Sequence, residues 1–200
     1  MIRTFDGWPD WTSARPALEP ALTLDALDRL SEVYDFAAER HAGQTRPAGE
    51  PYVEHLLQVV DVLVHGSGWK DTDLLAAGLL HDVVEDTPTE LAEVADRFGD
   101  GVGQLVDWVT QPPRDPAQDK AIARKAYLDH LAQAPDHVLA LKLADRLTNV
   151  QHLDTHPRPH KQASYYRETV TYIVPLADRL PWYRAWFEDW RQEFAHLAQD

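Results

Sequence analysis

The stretch Leu74-Leu75-Ala76-Ala77-Gly78-Leu79-Leu80-His81-Asp82-Val83-Val84-Glu85-Asp86 begins as an apolar helix and ends with four ionisable side chains in six residues. Residues three and four apart share a helix face, so a helix carried through to Asp86 stacks His81 on Glu85, Asp82 on Asp86 and Asp82 on Glu85. Three carboxylates then converge beside one imidazole. Like charges at this spacing repel, more strongly where apolar neighbours exclude water, and the C-terminal end of a helix favours cations over anions. Two readings meet the pattern: a divalent metal held by the cluster, or a solvated acidic helix end.

Around this stretch the chain reads as a series of helices. The motif helix is expected from Thr72 to Asp86, ending before Pro88. Upstream, a helix runs from the N-cap candidate Thr23 to about His41, with Leu24, Leu27, Leu30, Val33, Tyr34 and Ala37 on one stripe. A polar loop, His41 to Glu50, leads to a second helix that starts at Pro51 and stops at Gly66 and Gly68. Downstream, Thr87-Pro88-Thr89-Glu90 has the form of a capping box, with Thr87 as N-cap, Pro88 at N1 and Glu90 at N3, for a helix ending near Gly99. Further helices are expected over Val102–Thr110, Ala117–Gln133 and Asp136–Leu153, with a loop from Pro112 to Pro116 and Pro135 between the last two. Beyond the loop His156–His160, a helix begins near Lys161, is perturbed at Pro175 and ends near Leu180. Pro181 opens a last, aromatic helix. No period-2 strand pattern and no long repeat interrupts this, so the expected fold is an all-α bundle. Residues 1–22, rich in Pro and Trp, read as an irregular N-terminal arm.

Composition narrows the chemistry. At 200 residues the chain suits one domain, or one domain with an appended terminal segment. It has no cysteine, so any metal must be held by His, Asp and Glu. Met1 to Asp10 lacks the apolar core of a signal peptide and no apolar run reaches bilayer length, so the expectation is a soluble cytoplasmic protein without a membrane partner. The net charge of −14 argues against nucleic-acid binding, while an anionic small molecule stays compatible if a metal and local cations reverse the field at its site. Five of seven tryptophans (Trp69, Trp108, Trp182, Trp186, Trp190) sit in apolar or amphipathic segments and read as core or interface anchors. Oligomeric state is left open.

Distant carboxylates and imidazoles meet where helices pack, which is how metal sites form inside bundles. His55 lies in the first turn of the second helix, and Asp145 follows Leu139-Ala140-Leu141-Lys142-Leu143-Ala144. An aspartate in so apolar a helix needs a partner, either a metal or Lys142 at i−3. His55, His81-Asp82 and Asp145 resemble the H…HD…D pattern of the HD-domain metallophosphohydrolases. Moreover, His41-Ala42-Gly43-Gln44-Thr45-Arg46, Gly49-Glu50-Pro51-Tyr52, Leu80 to Thr87, and Lys142-Leu143-Ala144-Asp145-Arg146-Leu147 with Asn149 resemble the hydrolase half of the RelA/SpoT alarmone enzymes. The likeness covers about residues 24–180 and includes Phe98-Gly99, Val109-Thr110 and Pro175-Leu176-Ala177.

The resemblance implies an HD-domain helical bundle over 23–180, with the aromatic helix 181–200 packed on it, in the manner of a stand-alone small alarmone hydrolase. It implies that His55, His81, Asp82 and Asp145 hold one divalent ion, usually Mn²⁺, and that Glu85 and Asp86 orient or deprotonate the attacking water. The implied reaction converts (p)ppGpp to GDP or GTP plus pyrophosphate. Arg46 is the family position that packs on guanine or phosphate, Asn149 shares the face of Asp145, and Lys142, Arg146 and Lys161 supply positive potential. Arg124-Lys125 resembles the family's basic pair, or forms a solvated face. Two departures bear on substrate identity: Arg46-Pro47-Ala48 stands where relatives commonly have Arg-Lys-Ser, and Thr148 where histidine is frequent. The alternatives are an HD phosphohydrolase of another phosphorylated nucleotide, NADPH 2′-phosphate or ppApp, and a catalytically silent nucleotide-sensing module.

Overall fold

The computed structural model describes residues 2–112 and 119–199. Among them every regular element is helical, apart from an isolated bridge between Thr45 and Pro51. The elements are α1 (Trp11–Leu18), α2 (Leu24–Arg40), α3 (Tyr52–Asp61), α4 (Thr72–Leu80), α5 (Val83–Asp86), α6 (Leu91–Phe98), α7 (Asp100–Val109), α8 (Lys120–Leu131), α9 (Asp136–Val150), α10 (Pro159–Glu168), α11 (Val174–Ala177) and α12 (Pro181–Glu193). This is the all-α bundle that the periodicity predicts.

At its centre α3, α4 and α9 pack against one another. Each residue of α4 from Leu74 to Leu80 is buried, as is most of α9, because these helices are covered on all sides and need no polar face. The outer helices are amphipathic. In α2, Leu27, Leu30, Val33, Tyr34 and Ala37 face the core, and Thr23 accepts the N–H of Ala26 as its N-cap. α7 closes over α4 and α9, and α12 lies along α9. Trp190, fully buried, donates its indole N–H to the carbonyl of Val150 at 2.8 Å, using the last free carbonyls of α9 as a docking point.

Four local expectations are corrected. The motif helix does not continue to Asp86: α4 ends at Leu80, His81 and Asp82 form a turn, and α5 resumes at Val83. On an unbroken helix, consecutive side chains would diverge by about 100°; the turn lets His81 and Asp82 face the same point. The capping box is not formed either. The Thr87 hydroxyl donates to the carbonyl of Val83 at 2.6 Å, and Glu90 is the residue preceding α6. The arm is not irregular throughout, since Asp10 accepts the N–H of Ser13 at 2.8 Å and starts α1. Finally α9 ends at Val150 rather than Leu153. The expected loop from Pro112 to Pro116 and the helix start at Ala117 lie, Pro112 apart, outside the described residues.

Pro175 perturbs its helix as expected. It offers no N–H to the preceding turn, and the wide turn Thr169–Ile173 precedes it.

Because Trp190 joins α12 to α9, Trp190→Ala is expected to cost about 3–5 kcal/mol. Urea denaturation measures this, and a loss below about 1 kcal/mol would show that α12 is only loosely attached.

Candidate metal centre

α3 delivers His55, the turn after α4 delivers His81 and Asp82, and α9 delivers Asp145. Their polar atoms converge: His55 Nε2 lies 3.2 Å from His81 Nε2, and His81 Nε2 lies 2.9 Å from Asp82 Oδ2. Asp145 Oδ1 stands 3.6 Å from His55 Nε2 and 3.8 Å from His81 Nε2. His55, His81 and Asp82 alone satisfy the geometry of a three-ligand cluster. Donor atoms surrounding one divalent ion at about 2.1 Å sit about 3.0–3.4 Å apart, so His55, His81 and Asp82 are spaced close to what a shared cation needs, and Asp145, at 3.6 and 3.8 Å, stands slightly farther out.

Hydrogen bonds fix which imidazole nitrogens face inward. The carbonyl of Gly78, 2.9 Å from His81 Nδ1, can only accept, so Nδ1 carries the proton and a neutral His81 turns the Nε2 lone pair to the centre. Thr148 donates its hydroxyl to the carbonyl of Asp145 at 2.9 Å and offers its oxygen to His55 Nδ1 at 3.1 Å. Arg46 Nη1, which can only donate, lies farther from this nitrogen at 3.4 Å, so the nearer threonine oxygen places the proton on Nδ1 and His55 also presents Nε2 inward. Thr148 thus orients a ligand candidate.

The charges answer one another. Burial alone would depress His81, but the Asp82 and Asp145 carboxylates outweigh it and raise it to about 9. His55, equally buried and beside the charge of His81, is pushed down. Burial would raise Asp82 and Asp145, yet His81 for the first, and Lys142 with His81 for the second, hold both below the usual carboxylate range. The cluster is built to hold positive charge, and a proton on His81 occupies the place that a metal would compete for.

A ring of neighbours supports these four. Lys142, buried, donates to Asp145 Oδ2 at 2.9 Å and leaves Oδ1 for the centre. Asn149 Nδ2 donates to Asp145 Oδ1 at 2.6 Å. Tyr52 donates its hydroxyl toward Asp82 Oδ2 at 2.5 Å, with Asp86 Oδ2 at 3.0 Å. Gln44 ties the Asp86 carbonyl to the 41–50 loop at 2.9 Å. Glu85 is exposed at the rim, where Oε1 accepts the Gln111 N–H at 2.7 Å; partial loss of hydration nonetheless raises its pKa.

Beside the cluster opens a cleft of about 330 Å³, lined among others by Arg46, Pro47, Ala48, Tyr52, His55, Thr148 and Asn149. Arg46 is presented by a tight turn in which its N–H bonds the Glu50 carbonyl at 2.8 Å and Gly49 adopts a φ of +109°. The remaining predicted cations lie elsewhere. Lys142 is committed to Asp145, Arg146 pairs with Glu168 at 2.6 Å, and Lys161 on α10 is not part of the cleft lining. Arg124 joins Arg146 on Glu168, and Lys125 pairs with Asp129 at 2.6 Å.

Tyr52, Gln58 and Thr148 carry no role in the sequence reading, yet they touch the site. The signal was present: Tyr52 and Gln58 flank His55 at three residues on either side, and Thr148 follows Asp145 by three, so all share a face with a ligand candidate.

Comparison with known proteins agrees with this geometry. The family model described as HD domain matches residues 33–183. Over 175 residues the chain is 39% identical to a probable GTP pyrophosphokinase of Mycobacterium leprae, which covers 82% of this chain and 22% of that protein. Over 171 residues it is 35% identical to the bifunctional (p)ppGpp synthase/hydrolase SpoT of Escherichia coli, covering 84% and 24%. The chain thus spans less than a quarter of these relatives. A solved structure described as "A metazoan ortholog of SpoT hydrolyzes ppGpp and plays a role in starvation responses" matches with a TM-score of 0.74 and 27% identity, over 82% of this chain and 94% of that one. The chain belongs to the HD-domain metallophosphohydrolases and is related to the RelA/SpoT (p)ppGpp hydrolase family.

Proposed function

We propose that this chain is a (p)ppGpp 3′-pyrophosphohydrolase acting in the cytoplasm, with His55, His81, Asp82 and Asp145 holding one Mn²⁺. The observation that carries the reading is the convergence of two inward Nε2 atoms and two ionised carboxylates beside a cleft containing Arg46. Imidazole and carboxylate ligation suits Mn²⁺, and the absence of cysteine removes the ligand that favours zinc most. When bound, the ion supplies Lewis acidity, lowering the pKa of its water and offsetting charge on the attacked phosphate.

The protein groups divide the rest of the work. Glu85, with its raised pKa, accepts a proton from the attacking water, and Asp86, reached by the Tyr52 hydroxyl, orients that water. Water adds to the phosphorus on the ribose 3′ oxygen, the 3′ O–P bond breaks, and that oxygen leaves with a proton while pyrophosphate departs. Arg46 and Asn149 face the nucleotide. Lys142 and Arg146 act through the carboxylates they hold, and Lys161 contributes to the field from outside the cleft. Pro47 and Ala48 in the wall offer no polar side chain to guanosine, which favours keeping ppApp and NADPH 2′-phosphate as the second reading.

A panel of ppGpp, pppGpp, ppApp and NADPH with the Mn²⁺-loaded protein tests the substrate. Release of pyrophosphate from ppGpp well above the others is expected, and activity on NADPH alone would overturn it. Asp82→Ala is expected to abolish metal binding, whereas Glu85→Ala keeps the metal and loses turnover by about 10²-fold or more; an emptied metal site in Glu85→Ala would reverse the assigned roles. In the metal-free protein, His81 is raised from 6.5 to about 9, so its proton stabilises the fold fully below the lower value, and that contribution fades as pH climbs through the upper one. Metal must displace this proton. Calorimetry near neutral pH in buffers of different ionisation enthalpy should find about one proton released per Mn²⁺, and affinity rising about tenfold per pH unit until His81 is neutral.

A further inference from the structure

The N-terminal arm lies outside the residues matched by the family model, yet it bonds Gln58 and Gln151, which line the cleft. Ile2 and Phe5 are buried in the core. Phe5 and Gln151 exchange two hydrogen bonds, N–H to Oε1 at 2.8 Å and Nε2 to the Phe5 carbonyl at 3.0 Å, and Trp186 donates to the carbonyl of Arg3 at 2.7 Å. Two residues beyond Phe5, Gly7 adopts a φ of +63° and lies so close to α3 that a Cβ there would stand 2.8 Å from Gln58 Cγ and 2.9 Å from its backbone nitrogen. Only glycine permits that approach.

The approach completes a directional series of hydrogen bonds. Gln58 Nε2 donates to the carbonyl of Asp6 at 3.3 Å, and Gln58 Oε1 accepts from Arg46 Nη1 at 3.1 Å. Arg46 Nη2 donates to Asn149 Oδ1 at 2.8 Å, and Asn149 Nδ2 donates to Asp145 Oδ1 at 2.6 Å. An amide is a neutral side chain with an acceptor on one side and a donor on the other, so each amide here has its orientation set by its neighbours. The arm's backbone carbonyl fixes the Gln58 amide, and the amide oxygen fixes the guanidinium.

We propose that the arm segment Phe5–Gly7, acting through Gln58 as a positioning residue, holds Arg46 in its nucleotide-binding orientation before substrate arrives. This rests on the reading of Arg46 as a substrate contact. An arginine side chain has about 2 kcal/mol of rotamer entropy to lose, and a site that has already restrained it spends less of its binding energy on ordering. Arg46 does not reach the reacting bond in this scheme, so loosening it weakens binding of ground state and transition state alike. KM rises and kcat stays.

The full-length, Mn²⁺-loaded chain tests this through Gln58→Met, which keeps length and loses both hydrogen bonds, and Gly7→Ala, which leaves Gln58 in place and forces the arm away. Each is expected to raise KM for ppGpp about tenfold, the scale of one hydrogen bond to a charged group, with kcat within about twofold. Gln58→Met should add nothing in an Arg46→Ala background, because both act on one contact. An unchanged KM in Gln58→Met, or its full effect persisting without Arg46, would overturn the proposal. Nitrogen-15 NMR of the Arg46 guanidinium, assigned by its loss in Arg46→Lys, separates this from the question of substrate. Restricted Nη signals are expected in the wild type and averaged ones in both variants, and identical signals in all three would reject the relay even if another nucleotide proved to be the substrate. If the wild type releases no pyrophosphate from ppGpp while the NMR contrast holds, the substrate assignment fails and the relay stands.

Discussion

Asp145 sits in a largely enclosed helix of the bundle, 8% exposed, in the run Leu143-Ala144-Asp145-Arg146-Leu147. A carboxylate taken out of water at such a place costs several kcal/mol unless charge and hydrogen bonds replace its hydration. Much of the protein's organisation answers that cost. Lys142 neutralises one oxygen, Asn149 donates to the other, and two imidazoles from α3 and from the turn after α4 come close to it. Because these partners arrive on three helices, the packing of α3, α4 and α9 and the composition of the site are one constraint. An ion pair alone would have balanced Asp145; the surplus of a second carboxylate and two inward nitrogens is what distinguishes a cation site from a buried salt bridge.

Much of this was legible in the sequence because the site is written in residues that offend their surroundings. Asp145 in an apolar run and the crowded His81 to Asp86 segment announce themselves, and the helices carrying them follow from periodicity. The turn at His81-Asp82 was not legible. The apolar pattern continues without glycine or proline between Leu79 and Asp86, so local propensity favours an unbroken helix, and only the convergence of both side chains on residues from other helices explains the break. The capping box failed for a related reason. The Thr87 hydroxyl oxygen accepts the N–H of Thr89 at 3.2 Å, one residue short of Glu90, while its proton goes to the Val83 carbonyl.

The arm was misread because proline dominated the reading of its composition. Pro16 lies inside α1 and removes one N–H from it, yet the helix forms from a cap in ordinary register, where Asp10 accepts the N–H of Ser13 three residues on. Tyr52, Gln58 and Thr148 were missed for a different reason. Tyr52 reaches Asp82, Gln58 reaches Asp6 and Thr148 reaches His55 across 30 to 93 positions, and no local pattern encodes such a meeting. What the sequence does encode is their place on the ligand-bearing faces, at three residues from His55 or Asp145.

The arm's partners also bear on the order in which the molecule assembles. Its contacts span 146 residues to Gln151 and 191 to Glu193, whereas every member of the central cluster lies between His55 and Asp145. Closing the longest loops comes late because their entropy must be lost before the contacts repay it. During synthesis the first residues to emerge therefore wait for the last. The cation cluster can condense around α3, α4 and α9 while the wall behind Arg46 is still open, and the cleft reaches its final shape only when α12 has docked. The cluster and the wall behind Arg46, adjacent in the finished molecule, are thus separated in the order of folding.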